Sequence, residues 1–435
     1  MTAYNALRQL PPQAAYRAGD VLVLCGELFG RGYANGIIDE ARAHGMTIIG
    51  ATMGRRDSDG TLRPLNDAEL AEAEANLGGK IINIPLEAGF DMEPAADGRT
   101  PLDLLKGMKA DEWDKVSLDW SALEASRQRG VARFRGAMAA VAAEVERLVP
   151  ADANLLFVHT MAGGIPRARI FMPILNRVFK GQGDRYLSSE AFWQTDLGKL
   201  CQVSFDEVTA DTFLYLMEAT ASLRERICTF GGRVRYMAYG YHGCEVLING
   251  VYTWQSYTPY LQGWAKIRLE EHAAAASAKG IGATVFNCPE ILTNSSALFL
   301  GVEISLYPLL AALEREGDGP VAAGIGESCG KLLREGVGVA DLLAAVNDYL
   351  GSSVMARFVD YAAWPEHNTP EQAELMLNCS AALLAMNANP KEIVCAELSR
   401  AVFSAVGRLM FDASWEAAAP VYWLNHDVIA KRLIA

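Results

Sequence analysis

The sequence lacks closely spaced cysteines, a long uncharged apolar run and an apolar leader. Its eight cysteines are never closer than sixteen positions apart and form no CxxC pair, so neither a disulfide scaffold nor a zinc ribbon is indicated. The longest apolar stretch, residues 297–313, contains Glu303 and falls short of the roughly 18 uncharged residues that a spanning helix needs. Residues 1–20 contain no apolar signal core. These absences predict a cytoplasmic protein with reduced thiols, no membrane span and no metal site.

The sequence is also poor in basic residues. Across 435 residues, 39 lysines and arginines face 52 aspartates and glutamates, for a net charge of −13. Binding to nucleic acid needs a broad basic face, so no nucleic-acid partner is expected. The densest basic run consists of Arg167, Arg169, Arg177, Lys180 and Arg185. On an acidic protein this run predicts either a site for an anionic ligand or partner, or simply a solvated face.

Short runs rich in valine and isoleucine alternate with helix-like segments. They cover residues 21–26, 47–53, 80–86, 154–160, 234–240 and 283–289. Continuous apolar runs of this length are typical of parallel strands buried on both faces. The pattern therefore predicts an α/β fold with a doubly wound, parallel-sheet Rossmann-type core. We expect an N-terminal arm (1–19), a core (20–335) with insertions near 100–135 and 165–230, and a purely helical C-terminal layer (336–435).

A glycine-rich turn follows the first strand, with the spacing GxxxGxG at Gly26, Gly30 and Gly32. A tight turn into a helix presents free backbone N–H groups to an anion, and the missing Cβ atoms allow close approach of a pyrophosphate. This predicts dinucleotide binding by Gly26, Phe29, Gly30, Arg31 and Gly32. The alternative is an ordinary strand-to-helix turn.

Two further strand ends contain candidate cofactor-binding residues. Arg55 and Arg56 follow the second strand, where an acid usually binds the adenine ribose, and they could hold a 2′-phosphate. They predict NADPH as the cofactor, with NADH possible and a solvated charged loop as the alternative. After the fourth strand, Ala162 and Gly163 would allow close approach of the nicotinamide ribose. His159 before them is more typical of a satisfied core residue.

A tyrosine and a lysine follow the fifth strand. A phenol can donate a hydrogen bond or a proton to a developing enolate, and a nearby ammonium lowers the pKa of the phenol. Tyr257 and Lys266 are nine residues apart and would lie on opposite faces of one continuous helix. Pro259 predicts that the helix begins after Tyr257, because proline suits the first helical position. Tyr241, Tyr252 and Tyr260 remain rival candidates.

The chain resembles a known group in three segments: the GELFGRG turn, the Y-x8-K spacing of Tyr257 and Lys266, and the stretch ATVFNCPEILTNSSALFLGVEISLYPLLAALEREG. Over residues 20–335 it is similar to the trans-2-enoyl-CoA reductase and V-type enoyl-acyl carrier protein reductase family, enlarged relatives of the short-chain dehydrogenases/reductases. The resemblance implies that Tyr257 protonates the enolate and that Lys266 is its electrostatic partner and a ribose ligand. It further implies Tyr241 as the second active-site tyrosine and a turn over the cofactor that includes Thr293 and Ser295.

These observations predict an NADPH-dependent reductase of an α,β-unsaturated acyl thioester, carried on coenzyme A or an acyl carrier protein, or of a similar enone. Hydride would add to the β-carbon. A short-chain ketoreductase or dehydrogenase and a non-catalytic dinucleotide-binding protein are the alternatives, and the chain could be a monomer or a homodimer. A GxSxG sequence around Ser328 matches the hydrolase nucleophile elbow, but the sequence there predicts a loop entering a helix.

Overall fold

The computed structural model describes residues 3–26, 28, 32–257, 261–292, 301–317 and 319–435, with only the backbone for 261–265 and 302. The strands in this part of the chain are β1 (Val21–Gly26), β2 (Thr47–Thr52), β3 (Arg55–Arg56), β4 (Leu62–Arg63), β5 (Lys80–Ile82), β6 (Leu155–Thr160), β7 (Val234–Gly240), β8 (Gly243–Ile248), β9 (Val251–Ser256), β10 (Ala283–Asn287) and β11 (Val421–Trp423).

The helices begin with α1 (Ala34–Ala43), α2 (Asp67–Leu77), α3 (Pro101–Leu104), α4 (Trp120–Leu148), α5 (Phe171–Lys180), α6 (Ser189–Trp193), α7 (Asp196–Phe205), α8 (Thr212–Ala219) and α9 (Ala221–Thr229). They continue with α10 (Leu261–Ser277), α11 (Leu309–Glu316), α12 (Pro320–Gly330), α13 (Val339–Leu350), α14 (Pro370–Met386), α15 (Val394–Trp415) and α16 (His426–Ile434). A π-helical segment, Asp206–Asp211, joins α7 to α8. None of the helices described here combines the length and apolar character needed to cross a bilayer.

Seven strands form one sheet in the order β5-β2-β1-β6-β7-β10-β11, with every neighbouring pair parallel. From β1 the chain adds β2 and then β5 on one side. It then returns to the other side of β1, where β6, β7, β10 and β11 follow in turn. The predicted doubly wound fold is therefore confirmed. In such sheets ligands bind beyond the carboxyl ends of the strands, where the strand order reverses. Here that point lies between β1 and β6, whose residues are all buried.

The prediction that residues 336–435 are purely helical is wrong at β11. Val421 and Trp423 are completely buried, and β11 pairs with β10 at the edge of the sheet. The N-terminal arm covers the other side of β11, because Leu7 N donates to Trp423 O at 3.0 Å. The boundary expected after residue 335 stays a prediction. The hairpin of β8 and β9 was not predicted either.

Helix α15 in the C-terminal region crosses α1 in backbone contact. A Cβ atom on Gly36 would lie 2.3 Å from Ser404 O, and one on Gly407 would lie 2.3 Å from Tyr33 O. The two helices approach so closely only because both crossing residues are glycines. Helix α15 therefore helps to set the position of α1, whose N-terminus follows the predicted dinucleotide turn.

Candidate active site

The carboxyl end of β1 meets the carboxyl end of β6 at Gly26. This glycine has φ 120°, and a Cβ atom there would lie 2.8 Å from Met161 Cγ and 2.9 Å from Thr160 Oγ1. Only glycine fits at this junction. The predicted residues Phe29, Gly30 and Arg31 lie outside the described residues. Gly32 precedes α1, and a Cβ atom added to it would contact nothing within 4 Å.

The N-terminus of α1 faces the same crevice. Helix α1 begins after Tyr33 without a side-chain cap, and its first turn contains no acidic residue. The first N–H groups of a helix have no partner within the helix, and they attract an anion through hydrogen bonds and the helix dipole. An uncapped helix start at the switch point of the sheet fits the pyrophosphate of a nicotinamide dinucleotide.

The turn after β6 leaves open space beside the carboxyl ends of β1 and β6. Ala162 is exposed, and Gly163 has φ 114° with nothing within 4 Å of an added Cβ atom. Thr209 holds this turn from both sides, because its hydroxyl accepts from Gly163 N at 3.1 Å and donates to Gly163 O at 2.6 Å. Thr209 lies in the π-helical segment, a rare element that is frequent at functional sites. The sequence contained no signal for this support.

The two arginines after β2 lie in different surroundings, and their predicted role in binding a 2′-phosphate stays a prediction. Arg55 and Arg56 are consecutive residues of β3, so their side chains leave opposite faces of the strand. Arg55 is exposed and donates to Gly54 O, whereas Arg56 forms an ion pair with Glu87 at 2.5 Å. Glu87 also pairs with Arg167. Arg56 is thus neutralised by a carboxylate 31 positions away, which the local sequence does not reveal.

Tyr257 follows the hairpin strand β9 and precedes α10, as predicted. The residue is only 2% exposed, and its ring centroid lies 4.9 Å from that of Tyr241. Its backbone N–H donates to His242 O at 3.2 Å, and its hydroxyl accepts from the backbone N–H of Glu290 at 2.9 Å. Burial raises the pKa of Tyr257 well above the usual tyrosine value. This direction is opposite to the lowering expected from Lys266, and desolvation is its largest cause.

Lys266 lies in α10 and is 7% exposed. Its ammonium group donates to Tyr239 O at 2.7 Å, close to the carboxyl end of β7. Burial lowers the pKa of Lys266 to about 8. Among the described residues no hydrogen bond joins Lys266 to Tyr257. The ammonium group of Lys266 and the hydroxyl of Tyr257 are bonded to different partners, Tyr239 O and Glu290 N, near the carboxyl ends of the neighbouring strands β7 and β10.

A buried polar network connects the elements that bear these residues, and the sequence analysis missed it. Glu270 is one helical turn after Lys266, and its Oε1 accepts from Asn287 Nδ2 at 2.8 Å and from His242 Nδ1 at 3.1 Å. The backbone N–H of His242 donates to Asn287 Oδ1 at 3.0 Å. Because His242 also accepts from the Tyr257 N–H, this network ties α10 to the segment that precedes Tyr257. Its members are far apart in sequence, so no local pattern indicates it.

Several other candidates lie elsewhere. Tyr252 donates to Glu316 Oε1 at 2.9 Å, away from Tyr257 and Lys266. Tyr260, Thr293 and Ser295 lie outside the described residues. His159 is buried against the Thr212 hydroxyl at 2.7 Å, and burial lowers its pKa to about 3, as for an uncharged core residue. Ser328 lies inside α12 rather than after a strand, so the GxSxG sequence forms no nucleophile elbow.

Comparison with known proteins identifies the family. The family model described as "Enoyl-acyl carrier protein reductase FabMG" matches residues 3–433. A solved structure titled "Apo structure of FabMG, novel types of Enoyl-acyl carrier protein reductase" is 51% identical, with a TM-score of 0.96, and the match covers 100% of this chain and 98% of that one. An "NADH bound structure of FabMG, novel type of Enoyl-acyl carrier protein reductase" is 43% identical, with a TM-score of 0.79 and coverage of 100% and 99%. No curated protein matches the chain.

These matches confirm the predicted relationship to enoyl reductases. Enoyl reduction is favoured over the carbonyl reduction and the non-catalytic binding that the sequence left open. The uncapped start of α1 and the open turn at Gly163 agree with a nicotinamide cofactor. The chain therefore belongs to the FabMG family of enoyl-acyl carrier protein reductases, which are NAD(P)H-dependent oxidoreductases.

Proposed function

We propose that this chain reduces trans-2-enoyl groups attached to an acyl carrier protein, with NADH as the reductant and with Tyr257, Tyr241 and Lys266 as its catalytic residues. The observation that carries the proposal is the convergence at the carboxyl edge of the sheet. The uncapped start of α1, a buried ammonium group and a contacting pair of tyrosines all lie at or beyond the carboxyl ends of the parallel strands.

The proposal favours NADH over the NADPH expected from the two arginines. Arg56 is paired with Glu87, so its charge is already neutralised and it does not join Arg55 as a second ligand of a 2′-phosphate. A relative with 43% identity has NADH bound in its structure. In this chain the N-terminus of α1 would hold the pyrophosphate, Gly26 would keep β1 and β6 close together beside it, Gly163 would allow close approach of the cofactor, and Lys266 would donate to the ribose hydroxyls. When bound, the reduced nicotinamide supplies the hydride that adds to the β-carbon.

Tyr257 acts on the substrate oxygen. It remains protonated at neutral pH because burial raises its pKa, so its hydroxyl is available as a donor to the thioester carbonyl. As negative charge develops on that carbonyl, the Glu290 N–H bond stabilises any charge transferred to the phenol oxygen. Tyr241 packs against the ring of Tyr257 and restricts its orientation. Hydrogen bonds of this kind often tighten only when substrate is bound.

The substrate carrier is proposed from the family description, which specifies an enoyl-acyl carrier protein. Coenzyme A thioesters remain possible substrates in the same site, because the reacting enoyl group is the same. All eight cysteines are free thiols and seven are buried, which supports a location in the reducing cytoplasm.

Phenylalanine substitutions test the tyrosine assignment. We expect Tyr257→Phe to lower kcat by about 10²–10³, the scale of one lost oxyanion donor, with the KM for NADH unchanged. Tyr241→Phe should lower kcat less, because it keeps the ring that packs against Tyr257 and removes only a hydroxyl that is not the proposed donor. Tyr252→Phe is the matched control, since its hydroxyl bonds to Glu316 outside the site. NADH oxidation measured by absorbance gives all three values.

Wild-type kcat for Tyr257→Phe would contradict the role of this residue. The same assay run with NADH and NADPH tests the cofactor, and we expect the larger kcat/KM with NADH. Mass spectrometry of the product tests the reaction class, because enoyl reduction leaves a saturated acyl group with its thioester carbonyl intact.

A further inference from the structure

The stretch between β6 and α6 differs in charge from the rest of the protein. Residues 161–189 contain five arginines and lysines and one acid, Asp184, in a chain with a net charge of −13. Arg167 is already paired with Glu87. The other four cations have no ion-pair partner in the part of the chain that the structure describes. We call them the basic face: Arg169, Arg177, Lys180 and Arg185.

Helix α5 orients this face outward. It buries Phe171, Ile174, Leu175, Val178 and Phe179 against the core. Arg177 and Lys180 are three residues apart and thus neighbours on the opposite, partly exposed side of the helix. The short helix Gly183–Arg185 folds back beside them, with Arg185 O 3.5 Å from Arg177 Nε. Arg169 and Arg185 are exposed.

The basic face lies beside the proposed active site. The chain runs from the Gly163 turn directly into Arg169 and α5. On its other side, Asn368 donates to Val178 O at 3.1 Å just before α14 begins. Helix α14 in turn contacts the chain that follows β10, because the Ser380 hydroxyl donates to Glu303. The basic face therefore lies in the chain that leaves β6, and it is connected through α14 to the chain that follows β10.

We propose that the basic face is the docking surface for the acidic acyl carrier protein that delivers the enoyl group. This inference rests on the proposed function and adds the surface by which the carrier is recognised. Acyl carrier proteins are small and strongly acidic, so their charge complements four unpaired cations on an otherwise acidic enzyme. Complementary charges at an interface rim speed association without requiring tight binding. A carrier that must leave after each turnover needs such an interface.

Charge reversal tests the docking surface. The double variant Arg177→Glu/Lys180→Glu is compared with wild type and with Lys80→Glu/Lys279→Glu, which has the same net charge. Lys80 and Lys279 are exposed. Lys80 begins β5 and Lys279 shortly precedes β10, so both lie at the amino ends of the strands, opposite to the candidate active site. Three substrates with one enoyl group are used: the acyl carrier protein thioester, the coenzyme A thioester and the uncharged N-acetylcysteamine thioester.

We expect the KM for enoyl-acyl carrier protein to rise about tenfold in Arg177→Glu/Lys180→Glu and to stay near wild type in the control. Added salt should raise the wild-type KM for the carrier substrate and have less effect on the variant. Turnover of the N-acetylcysteamine thioester should not change, since no docking is involved.

Four results would overturn the inference. A wild-type KM for the carrier substrate, or an equal rise in the control, shows that the basic face does not recognise the carrier. An equal rise for the coenzyme A thioester shows that the face binds phosphate instead. If wild-type enzyme reduces none of the three substrates, the proposed function fails, and the docking surface fails with it.

Discussion

Removal of the Glu270 carboxylate should lower kcat, although Glu270 is not among the residues proposed to contact the substrate. Glu270 is 1% exposed, and its Oε1 accepts hydrogen bonds from His242 and Asn287. In Glu270→Ala both donors lose this acceptor inside the protein. Each buried unsatisfied donor costs about 1–3 kcal/mol, so the free energy of unfolding should fall by about 2–6 kcal/mol.

The functional effect follows from the position of His242. Its carbonyl oxygen accepts from the backbone N–H of Tyr257, so a shift of His242 moves the proposed proton donor. Since a displacement of about 1 Å can cost about 10²-fold in rate, we expect kcat of Glu270→Ala to fall about 10–10²-fold. The KM for NADH should change little, because the start of α1 and the Gly163 turn remain in place.

Steady-state kinetics and urea unfolding measure both effects, with Glu271→Ala as the control because Glu271 is the exposed neighbour on the same helix. The double variant Glu270→Ala/Asn287→Ala should lose less than the sum of the two single variants, since the residues share a hydrogen bond. A wild-type kcat for Glu270→Ala would refute the positioning argument. Strict additivity would show that the two residues do not act as one network.

Two further substitutions test the packing of α1 and the burial of an acid. Gly407→Ala should cost about 1–3 kcal/mol in unfolding free energy and weaken NADH binding, because its Cβ would lie 2.3 Å from Tyr33 O. Gly324→Ala in α12 is the control and should not lower the free energy of unfolding, because an added Cβ atom there contacts nothing within 4 Å. Equal urea midpoints for Gly407→Ala and Gly324→Ala would contradict the importance of the contact with Tyr33. Glu290 is buried without a hydrogen bond to its carboxyl group among the described residues, and burial raises its pKa well above the usual value. The folded protein thus retains a proton that the unfolded chain releases above about pH 4.3, and its stability should fall as pH rises toward the raised pKa. The gain in unfolding temperature from Glu290→Gln should therefore grow from about pH 5 to about pH 8, and a gain independent of pH would contradict this.

The sheet was largely predictable because parallel strands buried on both faces leave continuous apolar runs. All six predicted runs contain a strand, although β5 stops at Ile82 instead of continuing to residue 86. Strand β11 was missed because three residues between helical segments are too few to show a period. The hairpin did leave a signal. Asn249 and Gly250 have φ of 47° and 79°, and an Asn-Gly pair between apolar runs is typical of a tight hairpin turn.

Part of the candidate site could be predicted because its chemistry limits the residue type. The need for a phenol and an amine pointed to Tyr257 and Lys266, whose catalytic roles stay predictions, and Pro259 correctly indicated that Tyr257 precedes α10. The partners of these residues could not be found in this way. The pairing of Arg56 with Glu87 and the contact of Glu270 with Asn287 join distant parts of the chain, and they exist only after the sheet has formed.

The glycine crossing of α1 and α15 has a consequence for engineering. Enzyme designers who truncate this chain after β10 would remove α15, which packs directly against α1, the helix proposed to hold the cofactor phosphates. Conversely, substitutions on α15 could change the affinity for the electron donor through the position of α1, without altering a residue proposed to bind it. The C-terminal segment that contains α15 should therefore be kept in any engineered version of the enzyme.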